Sequence, residues 1–241
     1  MNTVLAIDGP SGSGKSSTAK QIAIRANWKY LDTGALYRGA TLVAIKFNLE
    51  TAAEIISKLQ QTPLVFNCDA RNPLLTLDGI DISSEIRSME ITSQVSYFSQ
   101  MPELRKFLVE MQREIIADSF PGVVVEGRDI GTVVCPEADL KVFLFANLAE
   151  RTARREKEIT EDVSRKAVEE SLSHRDLMDS ARKVSPLMPA EDALELDSTE
   201  LNLEEVVDVI WNWLAAKNLL GLPKVAIIGR PNVGKSTLVN R

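Results

Sequence analysis

Near the start of the chain, Gly9-Pro10-Ser11-Gly12-Ser13-Gly14-Lys15-Ser16 fits the pattern GxxxxGK[ST] without a mismatch. Glycines at this spacing let the backbone curl until several N–H groups point at one phosphate group. The lysine then reaches the β- and γ-phosphates, and the hydroxyl of Ser16 suits a Mg²⁺ ion. Ser17 continues the run into a helix whose positive N-terminal end adds to the attraction. The plain alternative is a chance glycine-rich turn. Context decides against it: Val4-Leu5-Ala6-Ile7 reads as a buried strand before the loop, and Lys15 to about Ala26 has helical spacing after it.

Such a loop binds a nucleoside triphosphate without saying what receives the phosphoryl group. Arginines at intervals suggest the answer: Arg38, Arg105, Arg128, Arg151, Arg154, Arg155, Arg175 and Arg182. Transfer between two nucleotides brings many negative charges together, and guanidinium forks match phosphate oxygens in pairs. Scattered arginines usually belong to a solvated surface, but two groups resist that reading. Arg151, Arg154 and Arg155 fall at i, i+3 and i+4, and Arg175, Asp179 and Arg182 at i, i+4 and i+7, each on one helical face.

The elements that must position these residues alternate. Trp28 to Leu31 reads as a second strand, and Asp32-Thr33-Gly34 opens a helix through about Phe47. Strand, loop and helix in turn indicate a parallel, doubly wound α/β sheet. The middle departs from that rhythm. Leu64–Phe66, Leu74–Leu77 and Ile80–Ile82, with Asp78-Gly79 as a hairpin signal, read as a small antiparallel insertion over about 63–85. Helices are expected at about 88–99 and 102–118, then a buried strand Val123–Val125 leading into Glu126-Gly127-Arg128-Asp129. A strand at 142–145, helices at 147–158 and 163–182, a strand at 194–196 and a closing amphipathic helix at 203–216 complete the pattern. Pro223 onwards repeats the opening: Val225–Ile228 runs into a second glycine-rich loop, Gly229 to Ser236.

The 241 residues suffice for one α/β domain with an insertion or for two small domains, and 44% hydrophobic with 26% charged residues is ordinary for a globular protein. A net charge of −6 argues against duplex nucleic-acid binding while leaving room for a locally basic pocket. Cys68 and Cys135 form no CxxC pattern and read as reduced thiols. The single histidine, His174, removes most histidine-based catalysis and metal binding. No apolar run reaches membrane-spanning length and none suggests a signal peptide, so a cytoplasmic location without membrane attachment is expected.

Ile7 to Ser16, Leu31-Asp32-Thr33-Gly34-Ala35-Leu36-Tyr37-Arg38 and Glu126 to Val134 resemble segments of the bacterial cytidylate kinases. So do Ile86-Arg87, Thr92 to Ser96, Pro186 to Ala190 and Leu196 to Thr199, in order and with fitting spacing through about residue 217. The resemblance implies a P-loop NTPase three-layer fold with a five-stranded parallel sheet, a nucleoside-monophosphate insertion at about 63–85 and a short lid at about 147–160. It also implies phosphorylation of CMP and dCMP by ATP with Mg²⁺. In that reading Gly9 through Ser17 hold ATP, and Thr33, Arg38 and Arg128 hold the acceptor phosphate. Ser93, Arg105 and Asp129 read the cytosine edge, while Arg175 and Asp179 meet the ribose. Lys15, Arg128, Arg182 and the lid arginine Arg154 neutralise charge during transfer. Thr33 stands where the family often has serine, and Glu126 where it often has aspartate. Rivals are another P-loop kinase, for UMP or AMP, and a GTP-dependent ribosome-assembly switch with the kinase half as scaffold. No Asn-Lys-x-Asp guanine motif occurs, which disfavours the switch.

From Lys224 the sequence resembles the first strand and P-loop of the tandem-domain ribosome-assembly GTPases of the Der type. The expected organisation is therefore a kinase domain over 1–217, a linker over 218–223 and the start of a GTPase domain over 224–241. A ribosome partner is expected only where a full GTPase domain follows. The helix after Lys235 has about six residues here, below the length at which an isolated helix persists, so the second loop is expected to be inert.

Overall fold

A computed structural model describes residues 2–158, 164–182 and 184–221. Along the first strand, β1 (Thr3–Asp8), side-chain alternation sends Leu5 and Ile7 to one face of a sheet and Ala6 to the other. The next elements are α1 (Lys15–Ala26), β2 (Lys29–Asp32) and α2 (Thr33–Lys46). Then come α3 (Ala52–Gln61), a three-stranded antiparallel sheet of β3 (Leu64–Asn67), β4 (Leu74–Leu77) and β5 (Ile80–Asp81), and the helices α4 (Met89–Phe98) and α5 (Pro102–Ala117). After β6 (Gly122–Gly127) and β7 (Leu140–Phe145) follow α6 (Leu148–Glu158), α7 (Arg165–Ser180), β8 (Leu194–Asp197) and α8 (Leu203–Ala216).

Five strands form one parallel sheet, as the resemblance implies, and their order is β2-β6-β1-β7-β8. Its two faces carry separate cores. Leu5, Ile7, Val124, Val142 and Leu144 pack against Ile22 of α1 and Ile210 of α8. Ala6, Leu31, Val123 and Val125 pack against Leu36 of α2, Ile55 of α3 and Leu108 of α5. Each fully buried aliphatic side chain contributes about 1.5–3 kcal/mol relative to exposure, so the two faces together fix the sheet. The α/β three-layer fold and the small antiparallel insertion are therefore both present.

The sequence reading passes over α3. Its signal is nonetheless a capping box: Thr51 accepts from the Glu54 backbone and Glu54 accepts from the Thr51 backbone, with Ile55 and Leu59 four apart on the buried side. The lid, expected over 147–160, corresponds to α6, with 159–163 outside the described residues. The GTPase-like stretch 224–241 also lies outside them. Among the described residues no helix is long and apolar enough to cross a membrane.

The parallel strands all end at the same edge, and β1 lies between β6 and β7. The glycine-rich loop after β1, Arg128 and Asp129 after β6, and α6 after β7 thus emerge side by side, where open α/β sheets bind ligands. Gly9 makes the first of these exits possible. Its φ is +149°, and a Cβ there would lie 1.9 Å from the carbonyl oxygen of Leu144 in β7. Gly9→Ala is therefore expected to cost about 2–4 kcal/mol of stability through strain and overpacking. Urea unfolding monitored by circular dichroism checks this, and an unchanged midpoint would contradict it.

Candidate active site

At that edge opens a cleft of about 570 Å³. Seven arginines and two lysines line it against the carboxylates Asp32, Glu126, Asp129 and Asp179. In a chain of net charge −6, this is a strong local excess of positive charge. Focused in a concave site, it attracts small polyanions.

Ser11, Gly12, Gly14, Lys15, Ser16 and Ser17 face the cleft, while Gly9, Pro10 and Ser13 shape the loop from behind. Lys15 is buried, and its Nζ donates to Pro10 O at 2.7 Å and Ser13 Oγ at 3.4 Å. Burial, followed by the positive charge of Arg128, lowers its pKa to about 7. Gly14 precedes α1 in the left-handed region, at φ +90°, so the helix starts with no side chain between its N-terminus and the loop. The hydroxyl of Ser16 and the carboxylate of Glu126, at the end of β6, line the cleft beside each other. Burial, then Asp32, raises the Glu126 pKa, whereas Lys15, Ser16 and Tyr30 oppose that rise. A hydroxyl and a carboxylate beside a phosphate cradle fit Mg²⁺, which keeps few protein ligands. Ser16 and Glu126 are thus the residues that would hold it.

Asp8 escapes the sequence reading. Its carboxylate accepts from the backbone N–H of Ile130 and Gly131, both at 2.8 Å, and so pins the segment carrying Arg128 and Asp129 to β1. Burial raises its pKa to about 6, against the lowering effect of those two hydrogen bonds. The available signal is a lone acid closing an apolar strand.

Two linked carboxylates organise the arginines. Asp129 is paired at 2.6 Å with Arg105, both nearly inaccessible, and Arg105 also donates to Ser99 O at 3.0 Å and lies 5.1 Å from the centre of the Tyr37 ring. Asp179 accepts from Arg128 Nε at 2.7 Å and from Arg182. Burial works against ionising Asp179, yet Arg128, Arg182 and Arg175 hold its carboxyl below the ordinary value. Arg38 donates to Ile86 O at 3.1 Å and Thr92 Oγ1 at 2.9 Å, and burial lowers its pKa to about 10. Arg175 reaches Ser11 Oγ at 3.2 Å, and burial with its cationic neighbours lowers its pKa to about 9. The Thr33 hydroxyl donates to Glu126 O at 2.8 Å. Arg105, Arg175 and Arg182 each keep a buried Nε without a partner. Unmatched buried donors are costly, and here they converge on one cleft.

Two expectations need correction. Ser93 does not reach the cleft: it is exposed and donates to Glu90 O at 2.7 Å. On α4 the helical period instead turns Ser96, with Ser99 just beyond, towards the lining. Arg154 does not face the cleft either. It binds Ser198 O at 2.6 Å and Ser13 O at 3.2 Å, behind the loop. Arg151, on the same helix, is buried against Asp176 and donates to Ser11 O at 3.0 Å. Of this trio only Arg155 lines the cleft. Helical spacing put the three on one side of α6, but that side lies against the loop's own carbonyls.

Two families of known proteins match parts of this chain. Residues 5–216 match the family described as cytidylate kinase, and residues 224–241 match the one described as 50S ribosome-binding GTPase. A cytidylate kinase of Streptomyces griseus is 44% identical over 221 residues, covering 90% of this chain and 95% of that protein. Cytidylate kinases of Desulforamulus reducens, 43% identical over 215 residues, and Streptococcus thermophilus, 42% identical over 212 residues, cover 87% and 86% of this chain and 96% and 93% of their own lengths.

The lowered pKa of Lys15 has a measurable consequence. Phosphate oxygens favour the charged amine, so binding raises a pKa that stands at about 7 in the empty site. Titration of a nucleoside triphosphate at pH 8 is expected to take up a proton at Lys15, with the uptake fading at pH 6, where the amine is already charged. Calorimetry in buffers of different ionisation enthalpy measures this. Uptake that is equal at both pH values, or that survives in Lys15→Met, would contradict it.

Proposed function

We propose that this chain, which belongs to the cytidylate kinase family, transfers the γ-phosphoryl group of ATP to CMP and dCMP, giving ADP with CDP or dCDP. The observation that carries the choice of base is the buried Arg105–Asp129 pair in the lining of the cleft. A carboxylate there accepts from the N4 amino group of cytosine, as carboxylates do in base readout. Uracil carries an oxygen at that position and meets repulsion. Arg105, held to Asp129 and Ser99 O, keeps its unpartnered Nε for the ring edge.

Arg38, Arg128 and Arg182 would hold the acceptor phosphate, and Arg175 with Asp179 the ribose, which places the two nucleotides side by side. The reaction then needs orientation and charge neutralisation more than covalent chemistry. Lys15 would neutralise negative charge gathering on the transferred group. The accepting phosphate is already anionic, so no side chain has to remove a proton from it. Mg²⁺, held by Ser16 and Glu126, would shield the phosphates from one another. Arg155 takes the place earlier given to Arg154 as the α6 arginine at the phosphates. The division into a kinase domain over 1–217, a linker and a GTPase start, a cytoplasmic location and the lack of nucleic-acid binding by the kinase part belong to the same proposal.

An acceptor screen with ADP release coupled to an optical readout tests it. CMP and dCMP are expected to exceed UMP and AMP by on the order of 10²-fold or more in kcat/KM, because a hydrogen-bonding site rejects reversed polarity strongly. Equal turnover of UMP and CMP would remove Asp129 from base recognition. GTP binding in place of ATP would favour the switch reading.

A further inference from the structure

Tyr30 does not line the cleft, yet it is almost completely buried and its phenol donates to Glu126 Oε1 at 2.6 Å. Strand register explains the contact. Tyr30 of β2 lies opposite Val124 of β6, and Glu126 is two residues further along β6, on the same face. That face is covered by α1, whose first turn carries Lys15 and Ser16. The ring is packed against Phe66, with centroids 6.3 Å apart, and lies under Lys20 at 5.6 Å. Phenylalanine would fill this space equally well. A hydroxyl kept in an apolar layer costs stability unless it is bonded, and here its partner is a carboxylate of the cleft.

Glutamate has one more rotatable bond than aspartate, so a free Glu126 carboxylate would spread over several rotamers. The Tyr30 phenol ties it down, with the Ser16 hydroxyl beside it in the cleft lining. We propose that Tyr30 is a positioning residue for phosphoryl transfer, its phenol fixing the Glu126 carboxylate beside Ser16 so that the cation carried by the triphosphate meets an acceptor already in place. The inference rests on the kinase reading only in assigning the cation to the triphosphate.

Its test is a binding measurement that needs no acceptor nucleotide. A non-hydrolysable ATP analogue is titrated calorimetrically into wild type, Tyr30→Phe, Glu126→Gln and the double variant, with Mg²⁺ and with chelator. The quantity read is the gain in affinity that Mg²⁺ brings. Tyr30→Phe is expected to lose about 10-fold of that gain, as loss of an outer partner to a metal-facing group does, while binding in chelator stays within about twofold. Glu126→Gln is expected to lose at least as much, and the double variant no more than Glu126→Gln. In turnover, kcat should fall in Tyr30→Phe with the acceptor KM unchanged. A full Mg²⁺ gain in Tyr30→Phe, equal losses with and without Mg²⁺, or additive losses in the double variant would each overturn the proposal. A failed acceptor screen beside a lost Mg²⁺ gain would reject the cytidine reading and leave the role of Tyr30 standing.

Discussion

Guanidinium groups do not stay together in a buried cleft unless negative charge is shared among them. Removing such charges from water costs several kcal/mol per ion, which only close pairing offsets. In this protein the pairing is internal: Asp129 holds Arg105, and Asp179 holds Arg128 and Arg182. The pairs do not exhaust the donors, since Arg105, Arg175 and Arg182 each retain a buried Nε with nothing opposite. The carboxylates thus keep the arginines assembled around the cleft.

The scaffold follows from that requirement. The Asp129 pair and the Asp179 cluster come from distant parts of the chain, α5 with the end of β6, and the end of β6 with α7. Only a sheet whose strands end at one edge brings them into contact. Asp8 ties the end of β6 to β1, and the α6 arginines tie the phosphate loop to Ser198 and Asp176. The loop and the end of β6 are therefore held by one frame of buried polar contacts, which explains why α6 supplies bracing as well as cleft-facing charge.

Much of this was legible in the sequence where chemistry is local. The glycine-rich loop is a backbone motif, and strand before with helix after it identify its surroundings. Arg38, Arg128 and Asp129 stand in motifs that run through consecutive residues, and Asp179 in the helical spacing it shares with Arg175 and Arg182. What failed depends on what a helix packs against. Ser93 and Ser96 sit three residues apart in one motif, and only the packing of Ile91 and Val95 tells which of them points inward. Arg151, Arg154 and Arg155 share spacing but have different neighbours, carbonyls of the loop for two and the cleft for the third. The Tyr30–Glu126 contact needs the register of two strands far apart in the chain, which local pattern does not carry. The helix α3 was legible through its capping box and the spacing of Ile55 and Leu59.

In this arrangement carboxylates would stand in for a ligand's negative charge until the ligand arrives. That role is tested most directly by the unfolding free energy of Asp179→Asn, measured with and without saturating inorganic phosphate. Removing one partner from a buried ion cluster costs about 3–5 kcal/mol, so the empty variant should be destabilised by that order. Phosphate should then stabilise the variant more than the wild type and recover a large part of the loss, since it supplies Arg128 and Arg182 with the charge they lack. An equal deficit with and without phosphate would contradict the account, because Asp179 would then act only as packing.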